Sequence, residues 1–117
     1  NEIIIETIQN ELQEVLINIL NNAKDVFIER SIENKEINIK LIDNDEEVLI
    51  SIEDNAGGIP KEVIKNVFEA YFTTKHQSQG TGLGLYMSHK IITESLKGKL
   101  STENSEVGAR FIIDIPL

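Results

Sequence analysis

The chain has 117 residues, of which 40% are hydrophobic and 26% are charged, and its formal net charge is -9. This length suffices for one compact domain with a core, and the acidic balance argues against nucleic acid or anionic lipid as the partner. No stretch approaches the ~20 apolar residues of a membrane span, and the absence of cysteine excludes disulfides and thiolate metal sites. We expect a single cytoplasmic domain over residues 1–117, without membrane contact. The lack of an initiator Met predicts that it is a fragment of a longer protein.

The N-terminal part predicts a short strand and then a long helix. Ile3–Ile5 is a β-branched run typical of an edge strand, and Thr7 can cap the helix that follows. Over about Ile8–Ser31, apolar residues recur at the three-and-four spacing of one buried helical face. These residues are Leu12, Leu16, Ile19, Leu20, Ala23, Val26 and Phe27. Asn18 and Asn22 lie one turn apart on a neighbouring face, and Asn22 is expected to face a cleft.

Two alternating stretches, Ile37–Leu41 and Val48–Ile52, predict an antiparallel hairpin with one buried face and a turn at Asp43–Glu46. The second strand leads into Asp54–Pro60, a sharp loop with two glycines, whose proline can open a short helix over Val63–Phe68. An aspartate at a strand end followed by glycines commonly lines a site. Ordinary turn chemistry is the alternative.

A polar stretch and a glycine-rich stretch follow. Glu69–Gln79 has no periodicity and predicts a mobile loop that can act as a lid. Gln79–Leu85 alternates glycine with other residues and leads into a helix. Its backbone N–H groups and the positive end of the helix dipole predict a phosphate cradle. Taken alone, this stretch also fits a plain glycine turn.

The C-terminal part predicts a helix and two strands. The helix covers about Leu83–Lys97, and Gly98 suits a left-handed C-terminal cap. Leu100–Thr102 begins a strand, Asn104–Gly108 turns it, and Ala109–Ile115 alternates to the end of the next strand. The expected fold is α+β, a mixed and mostly antiparallel sheet with the helices on one face.

Four blocks stand in a fixed order: Asn18–Ala23, Asp54–Pro60, Phe68–Lys75 and Gly80–Leu85. Together they resemble the asparagine box, first glycine box, phenylalanine box and second glycine box of the catalytic, ATP-binding domain of sensor histidine kinases. That domain belongs to the superfamily shared with gyrase, mismatch-repair and heat-shock ATPases. The resemblance covers nearly the whole chain. It implies a Bergerat-type α/β sandwich, with ATP lying between the helical layer and a lid.

The resemblance also implies roles for individual residues. Asn22 would hold Mg²⁺ through its amide oxygen, Asn18 would assist at the metal or phosphates, and Lys75 would be a mobile counter-charge or simply a solvated lysine. Asp54 would accept the adenine amine, while Gly58 lets the base lie against the backbone. The residues expected at the nucleotide are Asn18, Asn22, Asp54, Gly58, Ile59, Phe72, Thr74, Lys75, Gly80, Thr81, Gly82, Leu83, Gly84 and Leu85.

Three further positions qualify this expectation. Phe68 and Phe72 would either hinge and seat the lid or simply pack in the core. Ala109 falls where the family often has Ser or Thr, so the hydroxyl that would support the adenine site through water is missing. A lower affinity for the base is the expected consequence.

The reaction implied by the resemblance is phosphoryl transfer to a histidine rather than hydrolysis. Gyrase-like ATPases have a water-activating glutamate at the position of Asn18, and an amide cannot act as a general base. Glu14 lies a turn further back, about 6 Å along the helix axis, and is poorly placed. Neither His76 nor His89 precedes an acidic residue, as the family's acceptor histidine does. The acceptor is therefore expected on a separate dimerisation domain of the same protein, with a response regulator downstream.

Two other functions are also compatible with the sequence. The chain could be a nucleotide-sensing or chaperone-like ATPase module, which would turn ATP over by itself. It could also be a degenerate domain kept only for protein contacts, which would bind no Mg-nucleotide. Dimerisation in the family belongs to the helical domain, so this fragment is expected to be a monomer.

Overall fold

The computed structural model describes residues 2–70 and 83–116, with the side chains of the first helix described from residue 9. Its elements are helix α1 (Glu2–Glu29), strands β1 (Ile37–Asp43) and β2 (Glu47–Asp54), helices α2 (Lys61–Ile64) and α3 (Gly84–Lys90), a π-helical segment (Ile91–Ser95), and strands β3 (Lys99–Asn104) and β4 (Ala109–Pro116). None of the helices in these two ranges combines the length and apolarity needed to cross a membrane.

Helix α1 is continuous from Glu2, so the predicted strand at Ile3–Ile5 is wrong. No glycine or proline interrupts the sequence of α1, and the isoleucines near its start continue the four-residue spacing of the apolar stripe. The cost of β-branched residues in a helix is only a few tenths of a kcal/mol each, which an uninterrupted helix can absorb. The predicted stripe is confirmed further along. It also includes Val15, a completely buried residue that the prediction omitted.

The C-terminus of α1 is closed by a Schellman motif. Ser31 takes a left-handed φ of 53°. The Ile32 N–H donates to the Phe27 carbonyl at 3.0 Å, and the Ser31 N–H donates to the Ile28 carbonyl at 3.2 Å. Ile32 packs on a small second core formed by Ala23, Phe27 and Ala56. Because Ala56 belongs to the loop after β2, this cap ties the end of α1 to that loop.

The described strands form one sheet in the order β1-β2-β4-β3. Each of the three pairings is antiparallel, so the described sheet is antiparallel rather than mixed. The register places Ile52 opposite Phe111 and Ile50 opposite Ile113. The apolar residues of β2 and β4 therefore lie on one face, and the α+β prediction with helices on that face is confirmed.

The main core lies between this face and the helices. Its buried members are Val15, Ile19, Ile50, Ile52, Ile92, Leu96, Leu100, Ala109, Phe111, Ile113 and Ile115. Strand β1 contributes none of them, since all seven of its residues are exposed, including Leu41 at 63%. The hairpin is confirmed, but a buried face on β1 is wrong. β1 is one of the two edge strands of the described sheet, and on its side the buried core ends at its neighbour, β2.

Helix α3 continues through the π-helical segment, and its cap differs from the predicted one. Lys97, not Gly98, takes the left-handed φ of 57°, and the Gly98 N–H donates to the Ile92 carbonyl at 2.8 Å. Gly98 is required for another reason. A Cβ at that position would overlap the carbonyl oxygen of Asp114 in β4. The glycine therefore lets the incoming chain approach the neighbouring strand closely.

Candidate functional site

Asp54 is a buried carboxylate at the end of β2. It is 8% exposed, and its Oδ1 accepts hydrogen bonds from the Ala56 N–H at 3.0 Å and the Ala109 N–H at 3.3 Å. Within the described residues it forms no ion pair and its Oδ2 accepts no hydrogen bond. A buried carboxylate without a cation is costly, so such a group marks a functional site more often than a structural one. The arrangement fixes one oxygen and leaves the other for an external donor.

The neighbouring Glu53 shows the opposite situation on the outer face of the sheet. Arg110 lies between Glu53 at 2.9 Å and Glu103 at 3.1 Å, across three adjacent strands. The pKa of Glu53 is lowered, chiefly by its hydrogen bond with the Ser105 hydroxyl; partial burial opposes the shift and Arg110 adds to it. Glu53 is thus paired with a cation, whereas Asp54 has no cation partner among the described residues.

The loop after Asp54 has an unusual backbone. Gly57 and Gly58 have φ values of 98° and 89°, which other residues rarely adopt. A Cβ on Gly58 would also lie 2.9 Å from Oδ1 of Asn104. Glycine is therefore required at Gly58 for the loop conformation itself. This loop continues through Pro60, which precedes α2 as predicted, although α2 ends at Ile64, before Phe68.

Two long-range side chains bind the backbone of this loop, and neither was predicted. Arg30 donates through Nη1 to the carbonyls of Ala56 at 2.6 Å and Gly58 at 2.8 Å. Asn104 accepts from the Ile59 N–H at 2.7 Å and donates to the Ile59 carbonyl at 2.8 Å. Both backbone groups of Ile59 are thus occupied, so its predicted contact with the nucleotide is left to its side chain.

Gly108 is a third residue at this site whose role was not predicted from the sequence. A Cβ on Gly108 would lie 2.5 Å from Asp54 Oδ1 and 2.8 Å from the Asp54 carbonyl carbon. Only glycine allows β4 to begin so close to the carboxylate that the next N–H, from Ala109, can reach it. The one sequence signal was that glycine occurs directly before an alternating strand.

Asn18 joins α1 to the start of α3. Its Nδ2 donates to Ser88 Oγ at 3.1 Å and lies 3.5 Å from the Gly84 carbonyl oxygen. Ser88 is completely buried. The structure thereby brings together two predicted site residues from opposite ends of the chain. Because the amide nitrogen is engaged with α3, Oδ1 is the atom of Asn18 that remains for a metal or phosphate.

Asn22 lies one turn further along α1 and is half-buried. Its side-chain amide makes no hydrogen bond within the described residues, which leaves its oxygen available.

Leu83 and Leu85 are half-buried at the start of α3, and Leu85 packs on the main core. A Cβ added at Gly84 would have no neighbouring atom within 4 Å. The side chain of Leu85 thus belongs to the hydrophobic layer.

Part of the predicted site lies outside the described residues. This part comprises Phe72, Thr74, Lys75, Gly80, Thr81 and Gly82, together with the lid predicted at Glu69–Gln79 from residue 71 onward. Within the described part, Phe68 packs on the core. Its ring stacks on His89 at 5.1 Å between centroids and meets Phe111 edge-on at 6.3 Å. Of the two interpretations of Phe68, core packing is the one that these contacts support.

The described arrangement combines an anchored carboxylate beside a glycine backbone with free amide oxygens on α1. No cluster of three or more His, Cys, Asp or Glu side chains suited to a metal ion occurs within residues 2–70 and 83–116. A divalent cation here would rely on amide oxygens together with ligand phosphates. The Asp54 end can accept a hydrogen bond from a neutral donor such as an aromatic amine.

Comparison with known sequences gives a consistent set of relatives. The family model described as "Histidine kinase-, DNA gyrase B-, and HSP90-like ATPase" matches residues 7–117. Sporulation kinase E of Bacillus subtilis is 40% identical over 109 residues, which cover 92% of this chain and 14% of that protein. Two-component sensor PprA of Pseudomonas aeruginosa is 33% identical over 111 residues, 92% of this chain and 12% of that protein. The chain thus spans only a small part of these relatives.

Solved structures agree with the sequence relatives. The catalytic domain of histidine kinase ThkA has a TM-score of 0.77 and 40% identity, covering 92% of this chain and 67% of that one. A structure of ThkA in complex with the response regulator protein TrrA has a TM-score of 0.67 and 36% identity, covering 90% of this chain and 28% of that one.

Proposed function

Because this chain belongs to the family of histidine kinase-, DNA gyrase B- and HSP90-like ATPases, we propose that it is the catalytic domain of a sensor histidine kinase. In this proposal it binds Mg-ATP and transfers the γ-phosphoryl group to a histidine on a separate dimerisation domain of the same protein. A response regulator then receives the phosphoryl group. The domain acts in the cytoplasm, where ATP is available, whether or not the parent protein is anchored in a membrane.

The state of Asp54 is the observation that carries the proposal. Its Oδ1 is held by two backbone N–H groups, it has no cation partner among the described residues, and it stands beside two left-handed glycines. A carboxylate in this state suits a neutral donor such as the exocyclic amine of adenine. A planar base could lie against the backbone at Gly58, because this residue has no side chain in the way.

At the other end of the nucleotide, Asn22 would coordinate Mg²⁺ through its free amide oxygen. Mg²⁺ prefers oxygen ligands and retains several waters, so one protein amide together with the phosphates can suffice. Asn18 would add its Oδ1 to the metal or phosphates, while its nitrogen keeps α3 in place. Lys75 and the glycines at 80, 82 and 84 would neutralise and hydrogen-bond the phosphates. Phosphoryl transfer then rests mainly on positioning and charge neutralisation.

The absence of an acid at position 18 favours the kinase over an ATPase. The Asn18 amide cannot remove a proton from water, and Glu14, one turn back, is exposed. The chain alone should therefore show neither steady ATP turnover nor self-phosphorylation. Sustained turnover by the chain alone would favour the ATPase module instead.

Calorimetric titration with a non-hydrolysable ATP analogue, with and without Mg²⁺, tests the proposal. Asn22→Ala is the key variant, and Asn21→Ala is its control, because Asn21 is the exposed neighbour on the same helix. We expect Mg²⁺ to strengthen binding to the wild type and to Asn21→Ala, but not to Asn22→Ala. A folded wild-type chain that binds no nucleotide would contradict the proposal and indicate an interaction domain.

A positive binding result leads to the transfer assay. The chain, Mg-ATP and a supplied histidine-containing dimerisation domain should together yield an acid-labile phosphohistidine. Transfer that is abolished by Asn22→Ala and retained by Asn21→Ala would support the proposed reaction. Binding without transfer to any supplied domain would leave only the nucleotide-sensing alternative.

A further inference from the structure

The loop from Ala56 to Ile59 is held from both sides by side chains that are distant in sequence. Arg30 follows the end of α1 and binds the carbonyls on either side of Gly57. Asn104 ends β3 and binds both backbone groups of Ile59. We call Arg30 and Asn104 the loop clamp.

Ala56 packs in the second core and Ile59 packs on the main core, but the two glycines between them have no side chain to keep them in place. Gly57 and Gly58 lose more conformational freedom on folding than other residues do, and the loop has left the hydrogen-bond ladder of β2. Within the described residues, its Gly57 N–H makes one backbone bond to the turn before β4, at 3.2 Å to the Val107 carbonyl. The clamp adds four hydrogen bonds. Two of them come from the cationic guanidinium of Arg30, and such charge-assisted bonds are the stronger kind.

The same region fixes the carboxylate. Asp54 Oδ1 is bound by Ala56 at one end of the loop and by Ala109 at the start of β4. Asn104 and Ala109 are paired neighbours in the β3–β4 ladder. The clamp therefore ties the glycine backbone to the same framework as the carboxylate. Their relative position therefore depends on the end of the β3–β4 hairpin as well as on the glycines of the loop.

We propose that Arg30 and Asn104 are positioning residues for base selection, because they hold the glycine loop in register with the Asp54 carboxylate. This inference rests on the proposed function. Adenine offers an amine where guanine offers a carbonyl oxygen, and a carboxylate accepts a hydrogen bond from the first and repels the second. Such discrimination is strong only when the base is held in a single position against the acceptor. A loosened loop lets the base shift away from the carboxylate.

The test compares three ligands in the presence of Mg²⁺: a non-hydrolysable ATP analogue, the matching GTP analogue and inorganic tripolyphosphate. The variants are Asn104→Ala and Arg30→Met, each measured beside wild type. Asn44→Ala is the control. The Asn44 side chain accepts hydrogen bonds from the N–H groups of Glu46 and Glu47, both at 2.8 Å, in the distant β1–β2 turn. Asn44→Ala therefore removes two side-chain hydrogen bonds, as Asn104→Ala does, but neither of them is to the glycine loop.

We expect each clamp variant to lower the ratio of ATP to GTP affinity by about tenfold, the effect of roughly one lost hydrogen bond to the base. Tripolyphosphate affinity should stay at the wild-type value, and Asn44→Ala should keep the wild-type ratio. A role limited to stability would change urea unfolding in both asparagine variants and leave base selection intact.

Three results would overturn the inference. The first is a wild-type ratio in both clamp variants, and the second is an equal fall in ATP and tripolyphosphate affinity. The third is a folded wild-type chain that binds none of the ligands, which would refute the proposed function as well. If Asn104→Ala does not fold, Arg30→Met decides, because Arg30 is exposed and its replacement keeps the aliphatic stem.

Discussion

Gly108→Ala should disrupt both the fold and the Asp54 site, because there is no room for a side chain at this position. The added Cβ would lie 2.5 Å from Asp54 Oδ1 and 2.8 Å from its carbonyl carbon, with the carbonyl oxygen closer still. One contact is with the backbone of β2 and the other with an anchored carboxylate, so neither can swing away. The start of β4 must move outward. The 3.3 Å bond from the Ala109 N–H to Oδ1 is then the first to break.

The size of the effect follows from these two changes. Overpacking of a filled interior costs about 1–3 kcal/mol. Depriving a buried charged acceptor of one hydrogen bond costs about 1.5–3 kcal/mol. Their sum, about 2.5–6 kcal/mol, is a large part of the roughly 5–15 kcal/mol that stabilises a typical domain. With a urea slope of about 2 kcal/mol per M, the midpoint should fall by about 1–3 M.

The assay is urea unfolding followed by circular dichroism, together with titration of the ATP analogue. Gly98→Ala is the matched control. Its Cβ would also overlap a backbone carbonyl, that of Asp114, but at the opposite end of the β3–β4 ladder from Asp54. Both variants should lose stability. Only Gly108→Ala should bind nucleotide more weakly than its folded fraction explains, and a wild-type midpoint for Gly108→Ala would refute the close approach.

Three further predictions concern the core, the α1–α3 contact and the sheet charges. Leu41 and Ile50 are cross-strand partners, but Leu41 is 63% exposed and Ile50 is 4% exposed. In urea unfolding, Leu41→Ala should therefore lower the free energy of unfolding by less than about 0.5 kcal/mol and Ile50→Ala by about 2–5 kcal/mol. Equal losses would mean that β1 is covered. Asn18→Ala should destabilise the chain by about 1–3 kcal/mol, since it removes the donor to a buried serine hydroxyl of α3, and an unchanged urea midpoint would contradict this contact. The pKa of Glu47 is raised above 4.5, first by its hydrogen bond with the Asp114 carboxyl and then by repulsion from it, so the native state favours the protonated form and loses stability as pH rises through this pKa. Glu47→Gln should therefore be more stable than wild type at pH 7, and the gain should fade as the pH is lowered through the raised pKa; a gain that is constant from pH 3 to pH 7 would exclude this explanation.

The parts of the fold that could be predicted are mainly those in which apolar residues recur with the period of a helix or a strand. The stripe of α1 and the alternation of β2 and β4 were identified from the sequence, because burial repeats with the period of each element. The Asp54–Pro60 loop was identified from its glycines and proline. The errors occur where periodicity is ambiguous. Ile3–Ile5 fits a strand by composition and a helix by its spacing to Leu12. β1 alternates as a buried strand does, yet nothing in its own residues reveals that it lies at the edge of the sheet.

The site divides in the same way. Asp54, Asn18 and Asn22 could be named as candidates from the sequence, because their residue types match a block pattern within a few positions. The residues that support them could not. Arg30 acts on carbonyls 26 and 28 residues away, and Asn104 acts on a residue 45 positions earlier. No spacing rule links such partners, because side-chain contacts to a loop backbone depend on where the chain returns in space.

The sequence by itself therefore determined most of the elements, which faces are apolar and which chemical groups the chain presents. Tertiary structure alone decided which apolar faces are covered and which glycines are indispensable. Gly98 and Gly108 illustrate the reason: each is an ordinary glycine in sequence, and each becomes irreplaceable only because a strand distant in sequence runs against it. Local propensities act between neighbours along the chain, whereas exclusion of a single methyl group depends on the three-dimensional path of the backbone.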